Sequence, residues 1–364
     1  MRRLTKIAAA SAVLALTLTA CGSNGDEEEP TAGNGGEETT SEDVCADADG
    51  DGPTIGLAYD VGGRGDQSFN DSAYVGLTKA VEELDATCRE VEAGNGENDA
   101  DREERLRLLA DEGFNPIISV GFIYSPAVAT VAAEYPETDF AVVDGYASSI
   151  QELDNVADLT FAEHEGSFLV GVAAALKTEA DKVGFVGGVN GPLIQKFEAG
   201  YKAGVEAVDP NIEVLSQYLS QDDPQQGFEN PAGGETAATG MYDNGADIVY
   251  HAAGKSGLGV FDAVEAAGEG NWAIGVDSDQ YLTVDESQQQ YILTSMLKRI
   301  DTAVFNYVEA FDGGDAGSGF VTYNLESGGV DYSTSGGFVD DITGDIDDYK
   351  EQIISGEITV PETP

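Results

Sequence analysis

The sequence predicts an α/β protein with two lobes, each built on a parallel sheet. Two observations predict it. Apolar strand patterns alternate with helical ones through the whole body of the chain, residues 53–364, which calls for parallel sheets covered on both faces. That body is also long enough for two lobes with sizeable cores, and the alternation runs through two consecutive sets of units.

The first unit is a short apolar strand at 54–59, a Gly-rich turn, and a helix at 70–84 carrying Ala73, Leu77, Ala80, Val81 and Leu84 at helical spacing. A strand at 116–120, a helix at 127–134 and a strand at 140–143 ending on Asp144 continue the first half. A helix at 165–177, a strand at 182–186, a helix at 195–208 and a strand at 213–218 follow. The series closes with a helix at 234–244, a strand at 248–251, a helix at 257–267 and a strand at 272–276 ending on Asp277.

Ahead of the body lies a leader. Arg2, Arg3 and Lys6 precede a short apolar run, 7–19, and small Ala20 stands directly before Cys21. The pattern resembles a bacterial lipobox, with residues 1–20 as signal peptide and Cys21 as the lipidated residue. An ordinary signal peptide with an incidental cysteine is the alternative. Either reading places the protein outside the cytoplasm, and lipidation would hold it on the outer face of the cell membrane. Residues 21–52 combine Cys21 with Gly, Glu, Asp, Thr and Ser and read as a disordered acidic tether. Asp47, Asp49 and Asp51 imitate the start of a calcium loop, but Ala58 stands where its closing Glu belongs, so no metal is expected. With Cys21 lipidated, Cys45 and Cys88 remain as a pair in an oxidising compartment. A disulfide is expected, two buried thiols being the alternative.

Removing Arg2, Arg3 and Lys6 leaves 14 basic against 68 acidic residues, a formal charge of −54. That balance excludes nucleic acid as a partner, since its affinity comes from Lys and Arg on phosphates. Enzymatic motifs fail one by one. Gly254-Lys255-Ser256 ends like a phosphate-binding loop, but Val249 replaces the Gly that the pattern needs. Gly62-Gly63-Arg64-Gly65 lacks the spaced third Gly of a dinucleotide loop, and His164 and His251 have no zinc-ligand spacing around them. No Gly-x-Ser-x-Gly is present. These motifs give an enzymatic reading no support; no cofactor is expected, and the chain is expected to be monomeric.

Open α/β sheets bind ligands beyond the carboxyl ends of their strands. Three such ends stand out: the 59–70 loop with Asp60, Asp144-Gly145, and Asp277-Ser278-Asp279. Each Asp taken alone could simply cap a turn. Their comparable places in both halves suggest a cleft lined by carboxylates from both lobes.

These residues carry a family resemblance. The segments 55–60, Gly62-Gly63, Ser68-Phe69-Asn70 with Gly76, 140–145 and 184–204 with Lys196-Phe197-Glu198-Ala199-Gly200 resemble the basic membrane protein family. So do Gly254-Lys255-Ser256-Gly257, Gly275-Val276-Asp277 and Ser295-Met296-Leu297-Lys298. The family is similar to the purine nucleoside receptor lipoproteins, binding subunits of nucleoside importers. The resemblance implies a type I periplasmic-binding-protein fold, two Rossmann-like lobes around a hinged ligand cleft. The first lobe would span about 53–160, the second about 161–290, with a C-terminal crossover and tail at 291–364. It implies Asp60, Phe69, Asn70 and Asp144 as ligand contacts of the first lobe, and Phe228, Gly254, Asp277 and Lys298 of the second. Phe69 and Phe228 would sandwich a base, Asn70 and Asp144 would read its edge, and Asp277, oriented by Lys298, would bind the ribose. The implied function is capture of a purine nucleoside and its delivery to an ABC-type permease. A sugar or other polyol is the alternative ligand, and a nucleoside-processing hydrolase using Asp60 or Asp144 the alternative class.

Overall fold

The computed structural model describes residues 44–364. The leader, Cys21 and most of the expected tether lie outside the described residues.

The first half runs β1 (Thr54–Ala58), α1 (Phe69–Leu84), β2 (Thr87–Val91), α2 (Asp99–Asp111), β3 (Ile117–Val120), α3 (Ser125–Glu134), β4 (Phe140–Val143), α4 (Ser148–Gln151) and β5 (Val156–Phe161). The second runs α5 (Glu163–Lys177), β6 (Lys182–Val189), α6 (Pro192–Val208), β7 (Glu213–Ser220), α7 (Pro224–Phe228), α8 (Pro231–Asp243), β8 (Ile248–Ala252), α9 (Leu258–Ala267), β9 (Trp272–Asp277), α10 (Glu286–Gln289) and β10 (Ile292–Lys298). The remainder is α11 (Ile300–Asp312), β11 (Gly319–Tyr323), β12 (Val330–Tyr332) and α12 (Thr343–Ile354).

Two six-stranded sheets result, ordered β11-β5-β4-β3-β1-β2 and β12-β10-β9-β8-β6-β7. Every pairing is parallel except that of β12 with β10. The C-terminal segment thus serves both lobes. After β10 has completed most of the second sheet, α11 packs on α1, β11 adds an edge to the first sheet, and β12 returns to the second. The chain crosses between lobes after β5, after β10 and after β11, which is the connectivity of a hinged pair.

Buried strands are near-continuous apolar runs, as sheets covered on both faces require. One apolar core joins α1, α5, α6 and α11 to both sheets, and two others lie under α2 and α3 and under α8 and α9. Pro192 opens α6, and Ile194, Phe197, Tyr201 and Val205 recur along its buried face. Gly200 and Gly204 let α6 approach α5 closely, because a Cβ at either would stand 2.1 Å from a carbonyl oxygen of His164 or Phe168.

Of the segment expected as tether, residues 44–52 are described, and they lie on the first lobe. Cys45 is disulfide-bonded to Cys88 on β2, and the Gly52 N–H donates to the Asp85 carbonyl at 2.9 Å. Among the described residues no group of three or more His, Cys, Asp or Glu is placed to hold a metal ion. No helix among them is long and apolar enough to cross a membrane.

Candidate functional site

The loop after β1 is organised by a residue the sequence reading passed over. Asp66, buried, accepts from the N–H groups of Ser68 (3.0 Å), Asn70 (2.8 Å) and Asp71 (3.1 Å), satisfying the free donors of the α1 N-terminus. Asn70 is then locked: its Nδ2 donates to Asp66 at 3.0 Å and its Oδ1 accepts from the Asp60 N–H at 2.9 Å. Its amide thus serves the loop first and has one hydrogen left for a ligand. Asp60 accepts from the Val61 N–H at 2.7 Å and abuts Gly121, where a Cβ would come within 1.9 Å of its carboxylate. With φ at +100°, Gly121 is the residue that this approach requires. Burial pushes the Asp60 carboxyl up to about 7 and that of Asp66 up to about 6. Near neutral pH Asp60 therefore donates as well as accepts.

Asp144 stands just past β4 and Asp277 is the last residue of β9, and both take left-handed backbone with φ of 63°. Such strain persists where surrounding structure over-determines it, often at ligand sites. Asp144 binds the ammonium of Lys298 through Oδ2 at 2.5 Å, while its buried Oδ1 has no partner within the protein. Asp277 accepts through Oδ2 from the Ser68 hydroxyl of the opposite lobe at 2.5 Å. Burial raises the pKa of both carboxyls, with Lys298 pulling against it.

Lys298, at the end of β10 and 1 % exposed, lies 3.2 Å from the wholly buried Glu163, a second residue missed in the sequence. Burial works against the ammonium, but Asp144, Glu163 and Asp277 together hold its pKa above the ordinary lysine value. Its direct partners are Asp144 and Glu163, so the expected pairing with Asp277 is corrected to a longer-range attraction. The rings of Phe161, Phe69 and Phe197 surround it at 4.9–5.5 Å from their centroids.

All eight expected ligand residues line one cleft between the sheets: Asp60, Phe69, Asn70 and Asp144 from the first lobe, Phe228, Gly254, Asp277 and Lys298 from the second. Its empty space, counting the part open to solvent, is about 540 Å³. Phe228 is presented by the short α7, whose N-terminus Asp223 caps, and its ring meets Phe122 edge-on with centroids 6.5 Å apart. Phe122, Leu193, Ile194 and Phe197 add apolar wall. Phe197 sits within a motif already quoted, whereas Phe122 follows β3 in a turn without any chemical signal.

Comparison with known proteins agrees with this geometry. Residues 54–364 match the model of the Bmp family, described as ABC transporter substrate-binding protein PnrA-like. The chain is 33% identical to a CD4+ T-cell-stimulating antigen of Listeria innocua, over the whole of both proteins. It is 34% identical to the ABC transporter nucleoside-binding protein BmpA of Lactococcus lactis, over 84% of this chain and 88% of that one. A crystal structure of an ABC transporter system solute-binding protein from Aeropyrum pernix superposes with a TM-score of 0.73 at 29% identity, covering 85% of this chain and 94% of the other. With two lobes, an interlobe cleft and a match over the whole body, the chain belongs to the Bmp family, binding proteins of ABC transport and not enzymes.

Proposed function

We propose that the protein is a lipid-anchored, extracytoplasmic receptor that captures a purine nucleoside by lobe closure and delivers it to an ABC permease. The observation that carries this reading is the composition of the cleft: aromatic rings from opposite lobes, Phe69 and Phe228, beside buried carboxyl groups of both. Such rings suit the two faces of a base, each stacking contact being worth about 1–3 kcal/mol. The Oδ1 of Asp144, without a protein partner, suits a ligand N–H or O–H. A nucleoside-binding relative supports the same class.

Calorimetry with adenosine, guanosine and inosine, and in parallel with ribose and arabinose, tests it. Nucleosides are expected to bind, with Phe69→Ala and Phe228→Ala each weakening them about tenfold or more. Binding of the pentoses alone would replace the ligand class, and release of free base from inosine would replace the function. Anchoring has its own test. Cys21→Ala is expected to move the folded protein from the membrane fraction to the soluble one, because acyl chains supply the membrane affinity. Unchanged membrane association would remove the anchor from the proposal.

A further inference from the structure

We propose that the closed arrangement of the lobes is held by bonds the protein makes to itself, with Gln280 as the bolt and His251 as its positioning residue. Closed molecules then exist before any ligand enters. Gln280 and His251 lie outside the cleft lining, so the proposal is independent of what the cleft binds.

Gln280 follows β9 and is wholly buried. Its Oε1 accepts from the Val276 N–H at 2.8 Å and faces His251 Nε2 at 3.1 Å, and its own N–H donates to Ser295 Oγ at 3.1 Å. A backbone N–H can only donate, so the contact with Val276 fixes which end of the amide is oxygen. The NH₂ end is thereby turned to the other lobe, where it donates to the Gln67 carbonyl at 3.1 Å across a sequence separation of 213 residues. Gln67 itself holds left-handed backbone, φ 53°, so strain sits where the lobes meet.

His251 completes the seat. It is wholly buried, its Nδ1 has no partner, and its ring lies edge-on to Phe261 with centroids 5.1 Å apart. Burial lowers its pKa to about 4, so the ring is neutral at working pH and its one proton goes to Nε2, toward Gln280. Neighbouring bonds close the same edge: Ser278 Oγ donates to the Ser68 carbonyl at 3.1 Å and Ser68 Oγ to Asp277. At the other rim Lys255 donates to the Gly62 carbonyl at 3.1 Å. None of these bonds involves a ligand.

Gln280→Glu keeps the size of the side chain and its acceptor contacts with Val276 and His251, and well above neutral pH, where a buried carboxyl ionises, it sets a carboxylate oxygen against the Gln67 carbonyl, so both proteins are compared there. The experiment measures the distance between one spin label on each lobe, in protein freed of ligand by unfolding and refolding. Wild type is expected to show a populated closed distance, and Gln280→Glu a closed-to-open ratio lower by on the order of tenfold. His251→Phe is expected to lower the ratio as well, at a melting temperature near that of wild type. A wholly open wild type, or a Gln280→Glu protein as closed as wild type, overturns the bolt; an unchanged ratio in His251→Phe removes the positioning role. Should Gln280→Glu fail to regain wild-type circular dichroism, Ser278→Ala at the same lobe contact is scored in its place. A several-fold loss of the closed form is expected there, and no loss overturns the proposal.

Discussion

Lys298→Met is expected to destabilise the protein by about 3–5 kcal/mol, the usual cost of removing one partner from a buried ion pair. That is a large part of the 5–15 kcal/mol, roughly, that holds most folded domains. Burial drives the Asp144 carboxyl up and works against the Lys298 ammonium, and the pairing at 2.5 Å pulls both back toward their charged forms. With methionine in place, Asp144 and Glu163 face each other's field in a setting closed by Phe69, Phe161 and Phe197. The escape is protonation, which fixes the pH dependence. A carboxyl whose pKa is higher folded than unfolded stabilises below its unfolded value, near 3.8 for Asp144, and loses that contribution as pH rises through the folded value. The deficit of Lys298→Met relative to wild type is therefore smaller at pH 5 than at pH 8. Denaturant unfolding of both proteins at the two pH values checks this, and a deficit under about 1 kcal/mol, or one independent of pH, would show the charges to be compensated elsewhere.

Part of this centre was legible in the sequence itself, because Asp60, Asp144 and Asp277 stand where a local pattern ends, whereas Phe69, Asn70, Phe228, Gly254 and Lys298 came from the family resemblance alone. The buried strands before Asp60, Asp144 and Asp277 are apolar runs with a polar residue at the carboxyl end, and the α/β rule assigns that place to ligands. What escaped is what depends on contact rather than pattern. β2 is Thr-Cys-Arg-Glu-Val, half-buried at one flank of its sheet, and carries no apolar run. β10 has the polar Thr294 and Ser295 in its middle, where they serve Ser333 and Gln280. Glu163 opens α5 and reads as an ordinary acidic first-turn residue, yet it is wholly buried by the return of β10, some 135 residues later. Asn70 lines the cleft, but its engagement by Asp66 could not be inferred without the turn geometry of 60–68. The lobe assignment of the C-terminal segment was likewise hidden, since β11 and β12 are short edge strands that join different sheets.

Adenosine is expected to bind at least a hundredfold more tightly than adenosine monophosphate, and about tenfold more tightly than deoxyadenosine. Both expectations follow from the state of the charged groups lining the cleft. Asp66, Asp144 and Asp277 bring acidic groups, Asp60 shares a proton near neutral pH, and Lys298 is the one cation among the lining residues. Its ammonium is already bound by Asp144 and Glu163, so it offers a phosphate no free charge. A phosphomonoester would surrender its hydration and meet like charge in a poorly screened site, and about 3 kcal/mol of such cost is already a hundredfold in affinity. Lys255 bonds the Gly62 carbonyl and is not among the residues that line the cleft. For the sugar, Asp277 has one oxygen on Ser68, which leaves the other for a single ribose hydroxyl instead of a bidentate diol. Loss of one hydrogen bond to a buried carboxylate costs about 1–3 kcal/mol. Titrating the three compounds in one buffer at moderate salt decides the matter. Equal binding of adenosine and deoxyadenosine would detach Asp277 from the ribose, and tightest binding by the monophosphate would overturn the assignment of the cleft to a neutral nucleoside.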